Sequence, residues 1–449
     1  VQRRTTVNVH NARETTARPA AAAGMALAVA GALVLAACGG GDGDGDNDDA
    51  QAGEARGDIT IWYSNNEAEI AWGEQMVEAW NAGHPDEQIE AQEIPAGDSS
   101  EEVISAAIAA GNAPCLIFNT APVAVPDFEK QGGLVSLSSF EDGATYIEER
   151  TGDVAAQYQS ADGEYVQMPW KSNPVMIFYN KEMFAEAGLD PENPPLGTHD
   201  EFLDTARRLV SSGAAPNAIR PAPTSEFFQS WFDFYPLYAA ETGGTQLVED
   251  GSATFAGDAG LAVAEFWKTL YDEELAGREQ YQGDAFADGE AAMAIVGPWA
   301  ISVYGEQVDW GAVPVPTSGG TPPEETYTFS DAKNIGLYTA CENRDTAWDV
   351  LKFATSEEQD GKLLEITGQM PMRQDLAETY PDYFAENPAY EAFGEQASRT
   401  VEVPNVPNSV AVWQAFRDAY SRAVISGEGE LGQTLQDAAV EIDDLVGQS

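Results

Sequence analysis

Between Asp58 and Phe118 the sequence switches repeatedly between a two-residue and a 3.6-residue hydrophobic period, and few folds accept that alternation. "DITIWY" (58–63) reads as a strand, and Glu67 to Trp80 carries Ile70, Met76, Val77 and Trp80 at helical spacing until Gly83 and Pro85 stop it. "QIEAQEI" (88–94) alternates like a half-buried strand. Ser99 with Glu102 predicts a capping box, followed by a helix with Val103, Ile104, Ala107 and Ile108 on one face and Gly111 at its end. "CLIF" (115–118) is then a short buried strand. This order predicts an α/β fold with doubly wound, mainly parallel sheets.

The same grammar resumes without a long polar connector. "PVMIFYN" (174–180) and "EAAMAIVG" (290–297) read as strands, while "HDEFLDTARRLVSSG" (199–213) and a stretch near 258–275 read as helices. Two α/β lobes sharing one continuous chain are expected.

Composition excludes several functions. A formal net charge of −53 repels nucleic acid and anionic lipid headgroups, so neither is an expected partner. The acidic residues are spread along the whole chain, a pattern that suits solubility in a saline habitat better than one acidic site. With 3 His and 3 Cys there is no HExxH, no CxxC pair and no His-based cluster, so neither metal nor cofactor is expected. No GxSxG occurs, and His84 and His199 lie in loop-like sequence without a catalytic motif around them. Cys115 and Cys341 are available for one bridge in an oxidising compartment.

At the N-terminal end, Arg3, Arg4, Arg13 and Arg18 precede an uncharged run from Ala20 to Ala37, the layout of a secretory signal over residues 1–37. The run is mostly Ala and Gly and ends in small residues, which argues against a spanning anchor. Leu35-Ala36-Ala37-Cys38 resembles the lipobox of bacterial lipoproteins, implying cleavage before Cys38 and a lipid on its sulfur. Residues 38–57, rich in Gly and Asp, cannot bury enough surface to order themselves and read as a tether. Asp42, Asp44 and Asp46 mimic a calcium loop, but Asn47 and Gly53 stand where that loop needs Gly and Glu.

"GEYVQMPWKSNPVMIFYNKEMFAEAGLD" (163–190), "FADGEAAMAIVGPWA" (286–300), "GQMPMRQD" (368–375) and "PNVPNSVAVWQAFRDA" (404–419) together resemble the signature segments of family 1 extracellular solute-binding proteins. The resemblance extends over nearly all of 58–449. It implies a two-lobed Venus flytrap with a hinge, of the type II periplasmic-binding-protein kind. Lobe I would hold 58–171 with 331–378, and lobe II 172–330 with 379–449. It implies that "NIGLYTAC" returns antiparallel to the strand after Cys115, which would bring Cys115 and Cys341 together for a disulfide. The implied activity is binding without chemistry: a monomeric, lipid-anchored protein on the extracellular face of the membrane captures a sugar. It delivers that sugar to the permease of an ABC importer driven by a cytoplasmic ATPase.

A sugar offers apolar C–H faces and a rim of hydroxyls, so its site needs aromatic platforms and polar partners. The resemblance places stacking tryptophans at Trp299 and Trp413, and Trp170, Trp231 and Phe232 are further aromatic candidates. The polar candidates are Asn65, Asn66, Asn119, Asn173, Asp331 and Arg373. "CLIFNTAP" departs from the maltose-binding pattern, lacking the Trp and charged residues found there after this strand, which puts maltose itself in doubt. A glycerophosphodiester or glycerol phosphate is the alternative ligand, with Arg373, Lys171 or Lys333 as its basic partners. A secreted glycosidase using two of the many carboxylates is a more distant alternative, and a binding lobe adapted as a sensor subunit is a third.

Overall fold

The computed structural model describes residues 55–448 except 65, 97–98, 222–226 and 306. The signal segment, Cys38, most of the tether and Asn65 therefore lie outside the described residues. In chain order the strands are β1 (Ile59–Tyr63), β2 (Ile89–Glu93), β3 (Leu116–Thr120), β4 (Gln167–Ser172), β5 (Met176–Asn180), β6 (Asn217–Ile219), β7 (Val248–Glu249) and β8 (Ser252–Ala253). They continue with β9 (Ala291–Val296), β10 (Trp310–Val313), β11 (Thr328–Phe329), β12 (Lys333–Leu337), β13 (Met370–Pro371) and β14 (Thr400–Val401). A six-stranded sheet runs β13-β4-β12-β3-β1-β2 and a four-stranded sheet runs β10-β5-β9-β6. The fold is thus two-lobed α/β.

Helix α1 (Glu67–Gly83) begins where the Asn66 side chain accepts from the Ala68 and Glu69 amides, and it buries Trp72, Met76 and Trp80 beneath the first sheet. Helix α2 (Ser100–Ala110) is capped by Ser99, which accepts from the Glu102 amide, and ends at Gly111 in the left-handed conformation that glycine adopts without strain. Helix α3 (Val125–Lys130) turns Phe128 inward beside Ile104 and Ala107. In the second sheet, Ile177 and Tyr179 of β5 enter one core, while Met176 and Phe178 enter another on the opposite face. Burial on both faces explains why "PVMIFYN" is apolar throughout rather than alternating.

The sheets are mixed, not mainly parallel. β1 pairs parallel with β2 and β3, and β6 with β9. β12 runs antiparallel to both β3 and β4, β13 to β4, and β5 to both β9 and β10. The cause is the chain path: strands that enter after crossing from the other sheet arrive from the opposite end.

Those crossings are laced together. The Ser172 and Ser330 hydroxyls lie 2.9 Å apart, the Thr328 hydroxyl donates to the Val175 carbonyl at 2.7 Å, and β11 pairs with β14. A disulfide joins Cys115, just before β3, to Cys341, with a Cα separation of 4.5 Å and a sequence separation of 226 residues. A cross-link spanning so much chain restricts the unfolded ensemble strongly, so the Cys115→Ser/Cys341→Ser double variant is expected to lose roughly 2–5 kcal/mol. Urea unfolding of the two proteins, with and without reductant, checks this. Equal midpoints would mean that the bridge constrains nothing the fold does not already hold.

Candidate functional site

The short helix Phe227–Phe232 carries four aromatic rings past the mouth of a cavity of about 1180 Å³. Phe227, Phe228, Trp231 and Phe232 form one wall of it; α2 and α3 form the other, with Glu101, Glu102, Asp127 and Lys130; Asp331 and Lys333 complete the lining. Phe228 is 38% exposed, one of few large apolar side chains so open to solvent among the described residues. Four carboxylates against two ammonium groups give this lining a net negative charge.

Phe232 also lines a second cavity of about 480 Å³, shared with Arg220, Tyr281, Phe286, Trp299 and Tyr304. The Trp299 and Phe232 ring centroids lie 6.0 Å apart at 83°, an edge-to-face contact. Trp299 folds back over its own loop: a Cβ on Gly297 would lie 1.9 Å from the indole, so the glycine of "VGPW" is what leaves room for this ring. Trp299, Trp231, Phe232 and Asp331 therefore line these two adjoining cavities.

Two expected aromatic platforms lie elsewhere. Trp413 is wholly buried in the second lobe, edge-on to Trp231 at 5.6 Å and to Tyr235 at 4.9 Å. Helix Ser409–Tyr420 puts Val412, Trp413, Phe416 and Tyr420 on its inward face, so Trp413 backs the aromatic wall and offers no free face to a ligand. Trp170 is 1% exposed, wedged between Trp72 at 5.2 Å and Phe118 at 5.4 Å, because β4 is the second strand of the sheet and all six of its residues are buried.

The polar candidates divide similarly. Asn66 is occupied as the cap of α1. Asn119 takes a positive φ of 63° within β3 and is half-buried. Asn173 is buried and donates from Nδ2 to the Asp331 carbonyl at 3.1 Å, steadying that residue from behind. Arg373 lines a separate cavity of about 230 Å³, and its Nε donates to Asp360 at 3.1 Å.

The other cations are also engaged. Lys171 Nζ lies 2.5 Å from Glu69 Oε1, which also accepts from Gln369 at 2.9 Å, and Lys333 Nζ lies 2.6 Å from Asp331 Oδ1. Burial pulls the Lys333 ammonium toward neutrality, but the Asp331 carboxylate, with Glu402 and Glu101 beyond it, outweighs this and holds it above the usual lysine range. Among the described residues, no group of three or more His, Cys, Asp or Glu is placed to hold a metal ion, and no helix is long and apolar enough to cross a membrane.

The individual roles of Phe227, Phe228, Glu101, Asp127 and Arg220 were not foreseen from sequence. The phenylalanines left a signal in "FFQSWFDFY", an aromatic run denser than one buried helix face can absorb. The acidic residues left none, because carboxylates are abundant everywhere in this chain.

An aromatic-walled cleft between two α/β lobes defines a ligand-capturing protein. Residues 63–361 match the family model for bacterial extracellular solute-binding proteins, and the chain belongs to that family. It is 25% identical over 387 residues to the diacetylchitobiose binding protein of Streptomyces coelicolor, covering 81% of this chain and 83% of that one. It is 24% identical over 304 residues to the sn-glycerol-3-phosphate-binding periplasmic protein of Rhizobium meliloti, covering 64% and 69%. Among solved structures it resembles the cyclic alpha-maltosyl-1,6-maltose binding protein of Arthrobacter globiformis, with a TM-score of 0.76 at 21% identity, over 88% of this chain and all of the other.

Proposed function

We propose that this chain captures a sugar or oligosaccharide in the cleft between its lobes and hands it to the permease of an ABC importer, with no chemistry of its own. The observation that carries this reading is the aromatic wall formed by Phe227, Phe228, Trp231 and Phe232, continued by Trp299, which suits the apolar faces of sugar rings. In this reading, lobe I comprises 58–171 with 331–378 and lobe II the remainder, and a ligand touching both shifts the population toward a closed state. Cys38 carries the lipid that keeps the protein at the extracellular face.

Glycerol phosphate, which the name of one relative invokes, is the weaker reading. Arg373, Lys171 and Lys333 are each already matched by a carboxylate, and the cleft lining carries excess negative charge, which opposes a phosphate dianion.

Thermal unfolding against maltotriose, N,N′-diacetylchitobiose, other oligosaccharides and glycerol phosphates tests the proposal. A ligand at a hundredfold excess over its Kd stabilises the folded state by about 2.7 kcal/mol, enough to raise the midpoint visibly. Trp299→Ala and Phe228→Ala are each expected to weaken a bound glycan by about 10- to 100-fold. A response to glycerol phosphates alone, or to no compound at all, sinks the sugar reading.

A further inference from the structure

Asp331 and Lys333 stand two residues apart at the entry to β12, which begins at Lys333, and both line the larger cavity. The residue between them, Ala332, is buried beside Tyr158 and Met372. We propose that Asp331 and Lys333 are the specificity-determining pair of the sugar site and that together they read two adjacent hydroxyls of the ligand. This rests on the sugar reading above.

The pair is sheltered but open: its side chains are 18% and 21% exposed, and one contact of 2.6 Å joins Lys333 Nζ to Asp331 Oδ1. An ammonium carries three donors and a carboxylate about four acceptor positions, so this contact leaves both groups with capacity directed at the cavity. A vicinal diol matches that capacity, because one hydroxyl donates to the carboxylate while its neighbour accepts from the ammonium. A phosphate would meet the Asp331 charge, and a ring lacking either hydroxyl would leave one of these sheltered hydrogen-bonding positions unfilled.

The pair is also held in place. The Asp331 amide donates to the Asn173 carbonyl at 3.2 Å and the Asn173 side chain donates back to the Asp331 carbonyl, while Lys333 pairs in register with Lys171 of β4. Lys171 does not compete for Asp331, being tied to Glu69. The aromatic rings across the cavity would hold the sugar's apolar face while its hydroxyl rim meets the pair, so affinity and stereochemical choice fall to different walls.

The test titrates the full chain with maltotriose and N,N′-diacetylchitobiose, and then with the monodeoxy derivatives of whichever glycan binds, against wild type, Asp331→Asn, Lys333→Met and Phe228→Ala. In wild type, removing either of two neighbouring hydroxyls is expected to weaken binding about 100-fold. In Asp331→Asn and Lys333→Met that penalty is expected to shrink to less than about fivefold, whereas Phe228→Ala weakens parent and deoxy ligands alike. Unfolding midpoints of the unliganded variants establish that each is folded. If Asp331→Asn and Lys333→Met weaken every ligand by one common factor, or if wild type tolerates every deoxy position, the pair does not read the sugar, although the sugar reading stands. If no glycan binds, the sugar reading falls and the inference with it.

Discussion

Replacing Asp360 by Ala is expected to lower the free energy of unfolding by about 3–5 kcal/mol, because it strips the counter-charge from a guanidinium that water cannot reach. The Arg150 side chain is 2% exposed and that of Asp360 is wholly buried. Arg150 Nη2 donates to both carboxylate oxygens, at 2.9 and 3.0 Å, and Arg373 Nε approaches the same carboxylate at 3.1 Å. Arg150 also donates to the carbonyls of Thr355, Pro169, Trp170 and Met372. The cluster thus ties β4 and the chain leaving β13 to helix Glu357–Thr367. Asp360→Asn keeps an acceptor but loses the charge, and should fall between wild type and Asp360→Ala. Urea titration at neutral pH decides the matter: a loss below about 1 kcal/mol in Asp360→Ala would mean that the cluster relaxes into water-filled space, not a packed core.

The second large effect depends on pH. Glu402 is buried, and burial pushes its carboxyl up to about 8, against the opposing pull of the Val403 amide, Lys333 and Tyr158 and with some help from Asp331. Val403 N donates to one carboxylate oxygen at 2.7 Å and the Tyr158 hydroxyl lies 3.2 Å from the other. An acid whose folded pKa lies above its unfolded value, about 4.3, is protonated in the folded state while the unfolded chain has already released its proton. Its stabilising contribution is therefore complete below that unfolded value and is lost as pH rises toward about 8, amounting to a few kcal/mol. Glu402→Gln should remove this slope and be more stable than wild type at pH 8.5. Asp233, also buried and pushed up to about 7, leaves a smaller slope of the same sign in both proteins. Stability measured from pH 5 to 8.5 reads the difference; parallel curves for the two proteins would place the Glu402 carboxyl in its ordinary range.

Neither cluster is visible in the sequence, whereas much of the secondary structure is legible there. Ser99 and Gly111 bound α2 as their residue types predict, and Thr198 with Glu201 completes the capping box of helix His199–Ser212. Caps and periods are local, so one sequence carries them. The direction of β12 is not local: it depends on which sheet edge the chain meets after crossing. The tryptophans show the same division. Trp299 follows a glycine and a proline in a loop, which keeps its ring near a cavity, while Trp413 shares a helical face with Phe416 and Tyr420, a spacing that favours the core. Asp360 reads as one more acidic residue on an acidic helix until Arg150, distant in sequence, is folded against it.

β12 lies between β3 and β4, although its residues are made long after both. The six-stranded sheet therefore cannot close until Leu337 has left the ribosome, and β13 joins only after Pro371. Loops this long must be closed before the contacts that reward them can form, so the nascent chain spends most of its synthesis without a finished first lobe. Delay of this kind leaves the polypeptide unlocked until the central strand of its first sheet has been made. Cys115 must likewise wait for Cys341, so the covalent seal on this sheet cannot form until a further 226 residues have been made.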